Sequence, residues 1–395
     1  MNSDELGLVM TSTALRLLDS LPAYGDITDI VATVAALRRD GHPADLVSAV
    51  LTQSRLRAKA TTKFGEFASR MLFTEAGLEQ ATRLRVAALH AGRYQAAGIR
   101  SVADLGCGIG ADALALAALD FEVQAVEHDE VTAAIASYNL APFSNVSVSL
   151  GDAVDHDLSR VESVYLDPAR RTAGHSDTRR LTDPSDYSPS LDFAFGAARS
   201  MPTGIKLGPG FDRDMIPDEA EAQWISVDGQ LVENSLWFGS LAREGIARSA
   251  LVLRGQHSAE LVAAGDSIDA EVGELGTYLY EPDGSVIRAR LIGDLARSLG
   301  ARMLSEQIAY LSSDALVSSP FVAAFRVIDT LPSDEAKLKK ELRRRGIGRL
   351  EIKKRGVDID PAVLRRRLSL SGEGEATLVM TRVAGRHTTI LAERV

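Results

Sequence analysis

Four carboxylates in this chain close short apolar runs: Asp104 in Val102-Ala103-Asp104-Leu105, Glu127 after Val123 to Val126, Asp152 after Val146 to Gly151, and Asp167 after Val164 to Leu166. Runs of this length read as buried strands, so the acids gather at strand ends. Behind the first come Gly106, Gly108 and Gly110, and then the apolar stretch Ala111 to Leu119. The glycines remove side chains where the backbone must turn tightly and approach a ligand, and the helix that follows points its N-terminus there. This is a nucleotide-binding corner. A dinucleotide would ask for G-x-G-x-x-G with an acid about 20 positions on, and would tolerate Ala111. Asp104, however, repels a pyrophosphate and attracts an ammonium. Glu127 stands where an acid closes hydrogen bonds on the hydroxyls of a ribose. Singly, each acid could be a solvated strand end; three in order point to one ligand.

Asp167 differs from the others in being followed by Pro168, which fixes the chain direction and lacks a backbone donor. Arg170 comes next but one, and its guanidinium could stack on a base or bind a phosphate, or lie on a solvated loop. The only cysteine in 395 residues is Cys107, inside the glycine turn, which excludes pyrimidine C5 chemistry through a cysteine nucleophile, disulfides and cysteine zinc sites. The seven histidines show no metal-ligand spacing, so no metal is expected, and His128 reads as pocket wall or loop.

The stretch Asp104-Leu105-Gly106-Cys107-Gly108-Ile109-Gly110 resembles the first motif of the class I S-adenosylmethionine-dependent methyltransferases, acidic-hydrophobic-G-x-G-x-G. The resemblance implies S-adenosylmethionine as cofactor. Asp104 and the backbone of Gly106, Gly108 and Gly110 would hold its methionine part, Glu127 the ribose, and Asp152 with Ala153 the adenine amine. Asp167-Pro168-Ala169-Arg170 resembles the D/N-P-P-Y/W/F motif of methyltransferases acting on base or side-chain amines. There the acid and a following carbonyl accept hydrogen bonds from the target nitrogen, which makes Asp167, Pro168 and Arg170 the implied catalytic residues. Ala169 and Arg170 depart from the second proline and the aromatic ring of that motif. The segment from Lys63 to Thr82 is similar to the one ahead of the cofactor motif in trimethylguanosine synthases. That likeness implies guanine as the base and Lys63, Phe64, Arg70, Phe73 and Thr82 as pocket residues; packing of a helical lid is the other reading.

The expected fold is α/β: a seven-stranded Rossmann-like domain over residues 96–256, an N-terminal helical domain or lid over 1–95, and a C-terminal α+β domain over 257–395. Leu15 to Leu21, Ile27 to Arg38 and Pro43 to Arg57 carry helical spacing, broken at Gly41-His42-Pro43. A polar loop from Arg170 to Pro189, with Arg171, Arg179, Arg180 and Tyr187, reads as a substrate loop or a solvated one. Ile205 to Gly210 is expected as the fifth strand and its turn, and Leu231 to Leu236 with Ser249 to Leu253 as a final antiparallel hairpin. In the last domain Thr277 to Tyr280, Leu350 to Lys353 and Ala376 to Met380 read as strands, with helices near Ile287 to Leu299 and over Pro361 to Leu368.

That domain concentrates positive charge. Residues 336–367 hold thirteen Lys or Arg against four acids, a local +9 in a chain of net charge −10. Phosphate attraction is the obvious use, although an exposed helix with ion pairs is the alternative. Gly348 to Val357 and the helix after it resemble the THUMP-like domain attached to bacterial methyltransferases. THUMP domains bind RNA, which implies Lys353, Lys354 and Arg355 as contacts.

The start, Met1-Asn2-Ser3-Asp4-Glu5, lacks the basic and apolar regions of a signal, and no run approaches the roughly 18 apolar residues of a membrane span. A cytoplasmic enzyme with no membrane partner is expected, methylating a base amine, guanine first, of structured RNA such as tRNA or rRNA. Two other readings stay open: transfer to a small-molecule or protein amine, which would make the basic stretch dispensable, and a non-catalytic RNA-binding protein that retains the fold.

Overall fold

Capping and apolar spacing make the N-terminal part helical, as α1 (Ser3–Val9), α2 (Ser12–Ser20), α3 (Ile30–Arg39), α4 (Ala44–Phe64), α5 (Glu75–Gln80) and α6 (Leu84–Ala96). Asn2 and Glu5 form a reciprocal capping box on α1, while the side chains of Thr11 and Asp29 accept from the first turns of α2 and α3. The break before α4 falls at Gly41, in a left-handed conformation with φ 89°. The computed structural model describes residues 1–27, 29–170 and 187–395, excluding the side chains of Ala169 and Arg170. Most of the expected substrate loop, with Arg171, Arg179 and Arg180, and the Arg170 side chain lie outside the described residues.

Strands and helices then alternate: β1 (Ser101–Leu105), α7 (Ala111–Ala117), β2 (Glu122–Glu127), α8 (Glu130–Leu140), β3 (Val146–Leu150), β4 (Ser163–Leu166), the short pair β5 (Ala169–Arg170) and β6 (Tyr187–Ser188), α9 (Leu191–Ala198) and β7 (Thr203–Leu207). The order is β3-β2-β1-β4-β7, and every pairing is parallel. β4 and β7 are buried along their whole length, as central strands of a parallel sheet are. The order reverses between β1 and β4, so a crevice belongs at their C-terminal ends.

The described chain divides into two compact units, residues 1–207 with 237–242, and residues 208–236 with 243–395. The second begins with β8 (Glu221–Val227), β9 (Gln230–Phe238), β10 (Arg248–Arg254) and β11 (His257–Ala263). Here the expected hairpin is corrected. Leu231 to Leu236 lies in β9, whose sheet neighbour in this unit is β8, a strand the sequence reading passed over. Ser249 to Leu253 lies in β10, which runs parallel to β8 and pairs antiparallel with β11.

The rest of this unit is a mixed sheet of seven strands with helices. It comprises β12 (Tyr278–Pro282), α10 (Gly284–Arg288), α11 (Ile292–Ser298), β13 (Arg302–Ser305), β14 (Ile308–Ser313), β15 (Val322–Leu331), α12 (Glu335–Arg344), β16 (Ile347–Lys354), α13 (Pro361–Leu368), β17 (Gly374–Val383) and β18 (Arg386–Arg394). β16 and β17 are parallel, and α13 is their crossover. Leu338 and Leu342 of α12 and Leu364 and Leu368 of α13 enter one core with Ile352 and Leu378. Among the described residues no helix is long and apolar enough to cross a membrane.

Candidate active site

Parallel register brings the four sequence-marked acids to one edge of the first unit's sheet. Asp104 pairs with Ala125 and Tyr165, one residue short of the end of β1; Glu127 ends β2, Asp167 follows β4, and Asp152 lies two residues beyond β3. The turn after β1 is built as the glycines require, with φ of 82°, 57° and 88° at Gly106, Gly108 and Gly110. Gly106 and Cys107 N–H groups donate to the Val126 carbonyl at 2.9 and 3.0 Å, fixing the turn on β2. Glu127 braces it from below: Oε2 accepts from Gly108 N–H at 3.0 Å, and Oε1 from the N–H groups of His128 and Asp129. The Asp167 carbonyl lies 3.5 Å from where a Cβ on Gly106 would stand, so the acid after β4 adjoins the turn.

A polar cluster lies beneath the turn. Asp104 is 1% exposed, and its Oδ2 has no hydrogen-bond partner among the described residues. Burial pushes its carboxyl well above the usual range; the charges of Asp112 and Asp167 push it further, and Lys206 opposes them. Asp112, also buried, ends lower than usual: burial raises it, but His90 at 2.9 Å, Lys206 and the Thr82 hydroxyl at 2.6 Å overcome that. Lys206 on β7 reaches Asp167 Oδ2 at 2.5 Å and donates to Thr82 Oγ1 at 3.1 Å. Asp167 keeps 32% of its side-chain surface exposed, so an incoming group can meet it. Burial, reinforced by Asp104 and Glu127, raises the Cys107 thiol, which makes it a poor nucleophile.

The other expected site residues fall in several places. Asp152 is exposed and caps a short turn by accepting from Val154 N–H at 3.1 Å, with Ala153 buried beside it. Pro168 is buried next to Asp167. Thr82 joins the cluster through Asp112 and Lys206. Phe64 and Phe73 do not face a ligand; they are buried core residues whose rings pack on each other at 5.6 Å. Lys63 is a helix-end cap, its ammonium donating to the carbonyls of Leu78, Glu79 and Ala81 at 2.7–2.8 Å around the end of α5. Arg70 is exposed and lines a separate cleft of about 870 Å³ with Arg57, Tyr24 and Tyr138. In the second unit Lys353 pairs with Glu281 at 2.7 Å and Glu351 at 3.2 Å, Arg355 lies over the Tyr310 ring, and Lys354 is exposed.

Sequence reasoning passed over Lys206, His90 and Asp112 as functional residues. The signal was there in part: Lys206 is a lone cation within Gly204-Ile205-Lys206-Leu207, and a lysine in a buried strand needs a partner. His90 sits in an ordinary helix, and nothing local distinguishes it. Asn139 ties the helical segment to the turn, accepting from Leu72 N–H at 2.8 Å and donating to the carbonyls of Leu72 and Ile109 at 3.1 and 3.0 Å.

A bare glycine turn, a buried carboxylate oxygen without a partner, and an acid ending the neighbouring strand fit a ligand that combines an ammonium, a ribose diol and a base. Comparisons with known proteins agree. The THUMP domain-like family matches residues 322–394, and a domain of unknown function (DUF8688) matches 8–60. Two Mycobacterium tuberculosis proteins, from different strains and each described as an uncharacterized S-adenosylmethionine-dependent methyltransferase, are 36% identical over 336 residues, covering 83% of this chain and 90% of theirs. A crystal structure of a candidate methyltransferase from Porphyromonas gingivalis W83 shares the fold, with a TM-score of 0.73 and 20% identity over 100% of this chain and 98% of that one. The cofactor is S-adenosylmethionine. The chain belongs to the S-adenosylmethionine-dependent methyltransferases and carries a THUMP-like domain at its C-terminal end.

Proposed function

We propose that the protein methylates a base amine of structured RNA, tRNA or rRNA, with guanine the first acceptor to test. In this reading residues 1–95 form a helical lid, 96–256 the cofactor domain and 257–395 an RNA-binding domain, in the cytoplasm. The observation that carries it is Asp167: a partly exposed carboxylate after β4, beside the glycine turn and held by Lys206. When bound, S-adenosylmethionine supplies an electrophilic methyl on a sulfonium. Asp104 and the backbone from Gly106 to Gly110 bind its amino-acid part, Glu127 its ribose, and Asp152 with Ala153 its adenine. Asp167 accepts a hydrogen bond from the target N–H, which aims the nitrogen lone pair and spreads the positive charge that develops as the new bond forms. The nitrogen then gives one proton to solvent by way of the partly exposed Asp167 carboxylate, leaving the methylated amine neutral. Pro168 adds no donor to compete for the acceptor, and Arg170, next but one in sequence, is assigned the contact to a base or phosphate.

The case for RNA rests on the THUMP-like match and the +9 stretch. One observation favours a second reading, a small-molecule or protein amine. Five cations of that stretch, Arg344, Arg345, Arg349, Lys353 and Arg367, are paired with acids of their own unit, which reduces the charge offered to a phosphate backbone. The deciding experiment is mass spectrometry of RNA nucleosides from cells with and without the protein. It is joined to labelled methyl transfer onto RNA from the deficient cells by wild type and Asp167→Ala. A methylated nucleoside that disappears with the protein, and transfer abolished by Asp167→Ala, support the proposal. Identical nucleoside profiles sink it.

A further inference from the structure

Lys206 is the one charged residue of β7, a strand otherwise uncharged and wholly buried. Its ammonium meets Asp167 Oδ2 at 2.5 Å, Thr82 Oγ1 at 3.1 Å and the Gln80 carbonyl at 3.3 Å. The Thr82 hydroxyl in turn donates a hydrogen bond to Asp112 Oδ2 at 2.6 Å. The other oxygen of Asp112 meets His90 Nδ1 at 2.9 Å, and His90 lies 3.1 Å from the Tyr165 hydroxyl. The end of α5 and the turn after it, braced through Asp112 of α7 and His90 of α6, thus hold the lysine side chain in one place.

Three carboxylates, Asp104 of β1, Asp112 of α7 and Asp167 after β4, crowd this dry region. The other described titratable groups that face it include His90 and Tyr94 of α6, Tyr165 of β4, Cys107 of the glycine turn and Lys63 of α4. Carboxylates confined together raise one another's proton affinity, and a cation among them lowers it. Asp104 already registers both influences, from Asp112 and Asp167 on one side and from Lys206 on the other.

We propose that Lys206 is a positioning residue for methyl transfer, keeping Asp167 ionised and fixed so that its carboxylate meets the target amine as a hydrogen-bond acceptor. The inference rests on the reading of Asp167 as the amine's acceptor. Its chemistry is simple. An ionised Asp167 takes the N–H of the amine and leaves the lone pair aimed at the methyl group. A protonated Asp167 would donate to that lone pair and remove the nucleophile. Removing Lys206 takes the ammonium away from Asp167 Oδ2 while Asp104 and Asp112 still face it, which favours the protonated carboxyl. The Thr82 and Gln80 contacts set where the ammonium stands, and so which way the carboxylate turns.

The test compares wild type, Lys206→Gln, Lys206→Arg, Asp167→Asn and the double variant Asp167→Asn/Lys206→Gln. The first measurement needs no RNA. Infrared difference spectra at neutral pH, each against the matching Asp167→Asn protein so that Asp104 cancels, should show a protonated carboxyl band for Lys206→Gln and none for wild type or Lys206→Arg.

The second is labelled methyl transfer to RNA from deficient cells. Lys206→Gln should lose about tenfold or more in kcat at neutral pH with a smaller change in KM. Its acid limb should move up by about 1–3 pH units. Lys206→Arg should restore the wild-type profile, and in the Asp167→Asn background the lysine substitution should have little further effect. An Asp167 that stays ionised in Lys206→Gln, or an unmoved pH profile, overturns the proposal. Wild type that transfers no methyl to RNA would remove the RNA reading, while the infrared measurement still decides the role of Lys206. Lys206→Met replaces Lys206→Gln if the latter does not fold; failure of both neutral variants beside a folded Lys206→Arg shows a structural lysine and overturns the proposal as well.

Discussion

Gly108 and Gly110 share a turn but should fail in opposite ways when replaced by alanine. Both sit at positive φ, 57° and 88°. That conformation costs an L-residue roughly 1–2 kcal/mol. The stiffer unfolded chain that alanine brings returns about 0.4–1 kcal/mol. A Cβ on Gly108 meets nothing within 4 Å among the described residues, so Gly108→Ala should lower the stability of the cofactor-free protein by only about 1 kcal/mol. A Cβ on Gly110 would stand 2.9 Å from Leu140 Cδ1 and 3.1 Å from Cγ. Leu140 is buried in the core and cannot swing aside, and overpacking of this kind adds about 1–3 kcal/mol. Gly110→Ala should therefore cost about 2–4 kcal/mol in all. Cofactor affinity should separate the two differently. The methyl group of Gly108→Ala points where no atom of the described residues lies, so its effect is read on the ligand: a loss of at least about tenfold in affinity, or about 1.4 kcal/mol. Urea unfolding without cofactor gives the first pair of numbers, and calorimetric titration with S-adenosylmethionine the second. Unchanged affinity in Gly108→Ala would refute the assignment of the turn as the cofactor cradle. Equal stability losses would refute the Leu140 argument.

Two further outcomes follow from charges the structure places. Burial, with Arg83 and Lys206 nearby, lowers Lys63 to about 8 from its ordinary 10.5. The unfolded chain therefore binds more protons than the native one between those values, and this group's contribution to stability rises with pH across that interval. Urea unfolding from pH 8 to 10.5 should show the rise in wild type and a flatter curve in Lys63→Met; equal slopes would contradict it. For RNA binding, Lys354 is exposed while Lys353 is tied to Glu281 and Glu351. Removing the Lys354 charge should reduce the slope of log affinity against log salt by about 1. Lys353→Gln should change that slope much less, and filter binding across salt that reverses the order would show the ion pairs to be opened by RNA.

β1, β2 and β4 were legible because each is mostly buried and carries an acid at or just past its end, so burial and chemistry mark the same residues. Gly41-His42-Pro43 likewise announced the break before α4, and α13 starts at Pro361 and ends at Leu368 as read. Strand β8 was missed because Glu221-Ala222-Gln223-Trp224 carries polar residues that a strand normally keeps out of its core. Buried Glu221 is met by Arg243 at 2.5 Å, a partner no local pattern could supply. The aromatic and cationic residues between 63 and 73 suggested a ligand, yet Phe64, Phe73 and Lys63 are consumed by core packing and a helix end. Conversely Lys206, Asp112 and His90 come from three separate elements, and only their meeting in space makes them a site.

The same meeting bears on how this protein can be taken apart. Thr82 and His90 come from the helical segment, and they are the partners of Asp112 and, for Thr82, of Lys206; Leu72 from that segment shares the Asn139 amide with the glycine turn. Cutting the chain near residue 95 would strand buried ionisable groups on the sheet side and open the turn's brace. The helical segment is therefore inherited with the sheet as one cooperative whole. A relative that exchanged it for another would have to replace those partners at the same time.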